Sequence, residues 1–241
     1  MSLSGNPTVF GIDPYNISAT PVHPLGAKGI SADGRKFRYA KAGAADLNPG
    51  QLTIGVNIVA NHEDIAFATA GAVGDRTVSI TIGATAVTAS QYTNGYLVII
   101  DDTGEGHTHL ITDHGITAGS EAIDISIEPG LTEATVVATT VALVRNLYQD
   151  IIISNTDQND IPTGVPQVTI TAEYYGWVQT GGICGVLMDE SVANGSQLTI
   201  GSSTAGSVEL VDANAEIIVG IACGGVNAQD GEYNPIHLSI D

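Results

Sequence analysis

Three groups of side chains in this 241-residue sequence have the types and spacing for chemistry. The first is His107-x-His109, with Asp101, Asp102, Glu105, Asp113 and His114 close by. Residues two apart share one face of a strand. Two imidazoles with a neighbouring carboxylate are donors that zinc and related transition metals accept. The competing reading is a hairpin, in which Gly104-Glu105-Gly106 turns the chain and both histidines are ordinary strand residues. Asp101 to Glu105 shares the composition of a calcium loop but not its spacing. The hairpin is the better reading, so no metal ligand is assigned. The second group is aromatic: Tyr174, Tyr175 and the sole tryptophan, Trp177, which could stack on a sugar. The third is cationic, the run Arg35-Lys36-Phe37-Arg38-Tyr39-Ala40-Lys41.

The cationic run carries the strongest signal, because cations are so scarce elsewhere. The chain has seven Lys plus Arg, and five of them lie between Lys28 and Lys41. From Met1 to Lys41 these five face only Asp13 and Asp33, a net of +3. The other 200 residues carry Arg76 and Arg145 against 24 carboxylates, a net of −22. As a strand, Arg35, Phe37 and Tyr39 point one way and Lys36, Arg38 and Ala40 the other. Such a strand can hold a partner by apolar contact and charge-assisted hydrogen bonds. Lys28, Arg35, Lys36, Phe37, Arg38, Tyr39 and Lys41 are therefore the expected partner contacts, against the plainer reading of a solvated strand.

Several functional classes lack their signatures. There is no Gly-x-Ser-x-Gly elbow, no Gly-x-x-x-x-Gly-Lys loop and no His-Glu-x-x-His. No catalytic residue and no cofactor is assigned, and a non-enzymatic role is expected. A net charge of −19 argues against nucleic acid and against anionic membrane surfaces as partners. No apolar run approaches the length of a membrane span, and the start has no basic and apolar leader pattern. Two cysteines do not make a disulfide scaffold. Cys184 and Cys223 sit in apolar, Gly-flanked segments and read as buried free thiols, with a mutual disulfide the alternative.

The elements that must position these groups read as strands throughout. Small and β-branched residues dominate, aromatics are 5% and charged residues 14%, which suits thin sheets with many turns. Residues 1–50 are punctuated by five prolines and several glycines, and read as an extended basic arm. The body starts at Gln51. Alternation marks strands at Val78-Ile80-Ile82 and Ile123-Ile125-Ile127, and Asn94-Gly95 turns the chain into Tyr96–Ile100. Residues 155–166 form the expected internal boundary, so that 51–158 and 159–241 are two β-rich regions or one domain. Asn48–Gly55 echoes Asn194–Gly201 as Gln-Leu-Thr-Ile-Gly, one loop-into-strand solution used twice. The fold class expected is all-β: a β-sandwich or barrel-like body with an extended N-terminal arm.

Several stretches together resemble phage and prophage virion structural proteins of the capsid decoration, or cement, kind. They are Ala32-Asp-Gly-Arg-Lys-Phe-Arg-Tyr-Ala-Lys-Ala-Gly43, Gly95-Tyr-Leu-Val, Gly104-Glu-Gly-His107 and Tyr174-Tyr-Gly-Trp-Val-Gln-Thr180. Ile218-Val-Gly-Ile-Ala222, Asp230-Gly-Glu-Tyr233 and the closing strand complete the set. The resemblance implies a bacteriophage structural protein that binds the major capsid protein of an assembled head and stabilises the shell. It implies a homo-oligomer, with a homotrimer favoured, located at the capsid surface of the virion after assembly in the host cytoplasm. The alternatives are a tail or fibre structural protein, or a carbohydrate- or metal-binding β module. On the arm reading, deleting residues 1–41 abolishes shell binding while the body stays folded.

Overall fold

The structure is a computed structural model, and it describes residues 8–214, 216–224 and 230–241. Its chain divides into two compact units. One is continuous, residues 57–146; the other is built from the segments on either side of it, through residue 56 and from residue 147 onward. The fold is all-β, as the composition predicts, and its only described helical element is the single 3-10 turn Ala60–His62.

The first segment supplies β1 (Thr8–Ile12), β2 (Lys28–Ser31), β3 (Lys36–Lys41) and β4 (Thr53–Ile54). The inserted unit follows with β5 (Ile65–Ala66), β6 (Thr77–Thr81), β7 (Tyr96–Asp101), β8 (Thr108–His114), β9 (Ala122–Glu128) and β10 (Thr140–Val144). The last segment gives β11 (Ile152–Ile153), β12 (Pro162–Pro166), β13 (Tyr175–Leu187), β14 (Gln197–Ile200), β15 (Val208–Leu210), β16 (Gly220–Ala222) and β17 (Tyr233–Ser239).

The inserted unit is a six-stranded sheet in the order β5-β10-β7-β8-β9-β6. It almost closes on itself, because Phe67 bridges Ile80 and the Ala68 N–H donates to the Ser79 carbonyl at 2.8 Å. Alternation explains why it folds this way. Val78 and Ile80, Leu97 and Ile99, His109 and Ile111, and Ile123, Ile125 and Ile127 all point inward. Their apolar members meet Phe67, Tyr92, Val141 and Leu143 in one core. Two of its pairings, β7 with β8 and β8 with β9, are hairpins between sequence neighbours, while β6 with β9, β7 with β10 and β5 with β10 join strands further apart within the same segment.

The discontinuous unit is organised around β13, thirteen residues long. On one side it pairs with β3 over Tyr175↔Lys41 to Gly181↔Lys36; its C-terminal half pairs with β17. The main path runs β1-β2-β3-β13-β17-β16-β14-β15, with β4, β11 and β12 attached beside it. Three separate apolar clusters hold the unit together. In one, the Trp177 ring lies so close over Gly29 that a Cβ there would sit 2.6 Å from it, and only glycine admits that approach.

Residues 8–50 are therefore not an arm. β2 and β3 are interior strands, and Phe37 and Tyr39 are buried in the Trp177 cluster. The partner strand that makes β3 interior lies more than 130 residues downstream, which local pattern does not reveal. The expected boundary at 155–166 also moves. Pro162–Pro166 is the buried strand β12, paired to β4 and β13, and the chain changes units near residues 56 and 146. The echoed motif does recur as one solution. Leu47 and Val192 are buried, each followed by a turn closed by an i→i+3 hydrogen bond with positive φ at Gly50 or Gly195. Leu52, Ile54, Leu198 and Ile200 then enter the same core. The same turn stands at Ile170 to Glu173 and, in the inserted unit, at Val87 to Ser90. The run Asn227 to Gly231, whose Asn, Asp and Gly read as a turn in the sequence, falls largely outside the described residues.

Candidate attachment surface

β2 and β3 form a hairpin through Ser31-Ala32-Asp33-Gly34. Gly34 takes a φ of 85° and its N–H donates to the Ser31 carbonyl at 2.9 Å. The Ser31 hydroxyl donates to the Asp33 carboxylate, and Arg35 Nε donates to the same carboxylate at 2.7 Å. Those two bonds, the serine's first, pull the Asp33 carboxyl down to about 2. The turn is thus fixed by its own side chains, and it aims Arg35 back along the sheet.

The five cations meet two fates. Arg35 reaches across the sheet, where its guanidinium donates to Gln179 of β13 at 3.0 Å and to Gln167, just after β12, at 3.3 Å, and it lies over the Phe37 ring. Gln167 in turn donates to the Cys184 thiol, which burial pushes up to about 11. Arg38 donates to Asp241 at 2.5 Å and to the Gly26 carbonyl at 2.8 Å. Lys41 pairs with Asp150 at 2.7 Å and with Glu173; burial opposes its charge, but the two carboxylates raise its pKa overall. These three are pins between chain segments far apart in sequence. Lys28 and Lys36 are different. Both are exposed, and neither forms an ion pair among the described residues.

Of the seven sequence-predicted contacts, Phe37 and Tyr39 belong to the core, and Arg35, Arg38 and Lys41 are committed internally. Lys28 and Lys36 remain open to a partner. Register puts them together: Lys28 pairs with Arg38 and Ile30 with Lys36, so Lys28, Ile30, Lys36 and Arg38 share a face. Thr8 and Phe10 of β1 stand in register with Lys28 and Ile30 and extend that face to the sheet edge. Phe10 is 75% exposed. A depression of about 170 Å³ lies here, lined by Thr8, Lys28, Gly29, Ile30, Lys36, Phe37 and Asp241. The Arg38 hydrogen bond, with Lys28 and Lys36 nearby, holds the Asp241 carboxyl below the usual carboxylate range. Sequence reading missed β1. Its signal was the run Thr8-Val9-Phe10, β-branched and aromatic, hidden among the turn residues on either side.

The other candidate groups do not assemble. The His107 and His109 rings are neighbours at 6.4 Å, yet each is engaged elsewhere. His107 Nδ1 hydrogen-bonds with the Thr132 hydroxyl at 3.0 Å, and His109 Nδ1 donates to the Pro129 carbonyl at 2.9 Å. His114 accepts the Tyr92 N–H at 3.1 Å. No group of three or more His, Cys, Asp or Glu able to hold a metal is found among the described residues. Trp177 is 4% exposed, packed against Gly29, Tyr39 and His23, and has no open face for a sugar. Cys184 is a buried free thiol as expected, whereas Cys223 is free but exposed; it follows β16 at the point where the chain leaves the sheet. A larger depression of about 520 Å³ is lined by residues 155–159 with Ala213 and Glu216. The Glu216 carboxylate beside Asp212 raises the Asp212 pKa there.

Comparison with known proteins gives no match: no family model, no curated protein and no solved structure is significantly similar to this chain.

Proposed function

We propose that this chain is a non-enzymatic structural protein of a phage virion, of the capsid decoration kind. It binds the major capsid protein of the assembled head through the cationic end of its discontinuous unit and self-associates, with a trimer favoured. One observation carries the reading. On a chain of net charge −19, Lys28 and Lys36 stand exposed, without ion pairs among the described residues, beside an exposed Phe10, on one face at one sheet edge. A polyanion with one small cationic, apolar-edged face has a single orientation in which it approaches an acidic surface favourably. A shell presents such a surface in many copies, so modest contacts per subunit add up when the attaching protein is itself oligomeric. The acidic remainder keeps the particles apart in solution.

The test is the copy number of this chain on purified virus particles, relative to the major shell protein. A number of the same order as the shell protein is expected. A few copies per particle would move the chain to the tail or a fibre, and absence from particles would end the virion reading.

A further inference from the structure

We propose that the outer edge of β1 receives an extended, carboxylate-bearing segment of a partner protein as an added strand, with Lys28 and Lys36 recognising its charge. This deepens the attachment role proposed above and rests on it. The two edges of the main sheet differ in a way that points here. At one end β15 is closed: the Glu190 carboxylate accepts the Leu210 N–H at 2.9 Å, and the Asp189 N–H donates to the Val208 carbonyl at 2.9 Å. At the other end β1 pairs only with β2, and among the described residues no hydrogen bond reaches its outward side. An open edge is a template for another strand, and proteins usually blunt one with Lys, Pro or charge on the strand itself. Thr8-Val9-Phe10-Gly11-Ile12 has none of these. The one interruption is a register shift between Phe10 and Ile12 at Gly11, whose φ is 69°. It limits the usable edge to about the length of Thr8–Phe10.

The chemistry of the occupant follows from what stands beside the edge. Main-chain hydrogen bonds supply affinity in strand addition, and neighbouring side chains supply selectivity. Strands lie about 4.8 Å apart, so the side chains of an added strand sit roughly 10 Å from β2, within joint reach of a lysine and a glutamate. Lys28 thus favours carboxylates on the shared face, and Lys36, one strand further back on β3 at roughly 14 Å, adds charge of the same sign, while Phe10, Ile30 and the 170 Å³ depression favour an apolar residue beside them. The Lys36 stem lies over Gly181, and its ammonium forms no ion pair among the described residues. A second copy of this chain is a poorer occupant. Pairing β1 with its own counterpart brings no carboxylate to Lys28 or Lys36, since Thr8–Ile12 carries none.

The probe is a fluorescein-labelled, end-blocked octapeptide Thr-Glu-Thr-Val-Thr-Glu-Thr-Val, which alternates glutamate and valine along one strand face, with its lysine-for-glutamate counterpart as control, titrated into the full chain by fluorescence anisotropy. The glutamate peptide is expected to bind saturably, to weaken on the order of tenfold in Lys28→Ala/Lys36→Ala, and to weaken as salt rises from about 0.02 M to about 0.5 M. Amide exchange should slow at residues 8–12 when it binds. Both lysines are exposed, so the double variant keeps its fold, and Phe10→Lys is a second variant that blocks the edge itself. No binding, equal binding of the lysine peptide, or protection elsewhere overturns the proposal. A chain that is already dimeric with residues 8–12 protected also overturns it, in favour of self-pairing. Copy number on particles is read separately, so a failure of this edge and a failure of the virion role are told apart.

Discussion

The inserted unit and the discontinuous unit solve the same problem, burying apolar surface with strands, by different means. The inserted unit has one core, strand partners that all come from a single continuous segment, and inward residues at every second position. The discontinuous unit has three cores and a central strand, β13, whose partners come from both ends of the chain. Charge is spent differently too. Residues 57–146 carry only Arg76 and Arg145 against eleven carboxylates, while all five remaining cations serve the discontinuous unit. Three of those five tie segments together and two stay exposed. Where contacts are local, apolar periodicity suffices. Where they are distant, this protein adds charged and hydrogen-bonded pins, and these use up most of the cations that sequence reading assigns to a partner.

The largest break in that comparison is truncation. Deleting residues 1–41 removes β1, β2 and β3, and with them Phe37, Tyr39 and one whole flank of β13. The sequence reading expects the body to survive that deletion. The structure leads to the opposite outcome: the discontinuous unit fails to fold, and near-ultraviolet circular dichroism of Trp177 is lost. Residues 57–146 expressed alone should still give a cooperative β unfolding transition, since their core is complete within the segment. Survival of the Trp177 signal in the truncated chain would return the arm to consideration.

Trp177→Ala is the next step down. It empties a site where an indole packs on Gly29, Tyr39 and His23, and large-to-small changes of this kind cost about 3–5 kcal/mol. Chemical denaturation should show the loss. A change under about 1 kcal/mol would mean that the cluster tolerates collapse, and that the three-core description overstates its weight.

How much could be read beforehand follows from the same contrast. The strands around Ile80, Leu97 and Ile125 are legible because alternation and the Asn94-Gly95 turn are local, and Asn94 does take a φ of 63°. The alternation of Arg35 to Lys41 is legible too, and its two faces come out as expected. Its environment is not, because the groups that claim it, Asp150, Glu173, Gln179 and Asp241, lie more than 100 residues away. Val168 to Glu173 shows how alternation misleads: it becomes a bridge and a turn, with Ile170 opposite Leu47 and Glu173 at a φ of 66°. The unit boundaries carry no compositional mark, since both sides of residues 56 and 146 are the same mixture of small and β-branched residues.

Arg35→Ala against Lys28→Ala sharpens the division among the cations. Removing Arg35 leaves the fully buried Gln179 without the donor to its carbonyl oxygen. An orphaned buried acceptor costs about 1–3 kcal/mol. Lys28 is exposed and unpaired among the described residues, so its removal should fall within about 0.5 kcal/mol. Paired denaturant titrations decide the matter. Equal effects would erase the distinction between pin and open cation on which the attachment surface rests.

The smallest effect is read in acid. Asp33, Asp241 and Asp189 all have carboxyls below their ordinary value of 3.8, and all belong to the discontinuous unit. In Asp33 and Asp241 a side-chain hydrogen bond is the largest cause, from Ser31 and Arg38 respectively. At Asp189 burial acts the other way and is outweighed by bonds from Thr204 and Ser203. A depressed folded value means that the unfolded chain binds the proton more readily. The stabilisation these groups provide is therefore complete above about pH 4 and drains away as pH falls through their folded values. For Asp33 that is near pH 2. Carbon-detected NMR titration should find its carboxyl half-protonated there, and Ser31→Ala should move the midpoint up toward 3.8, since the serine bond is the leading cause. A midpoint in the variant unchanged from about 2 would assign the effect to Arg35 instead, and would make the turn a consequence of the cation rather than the device that aims it.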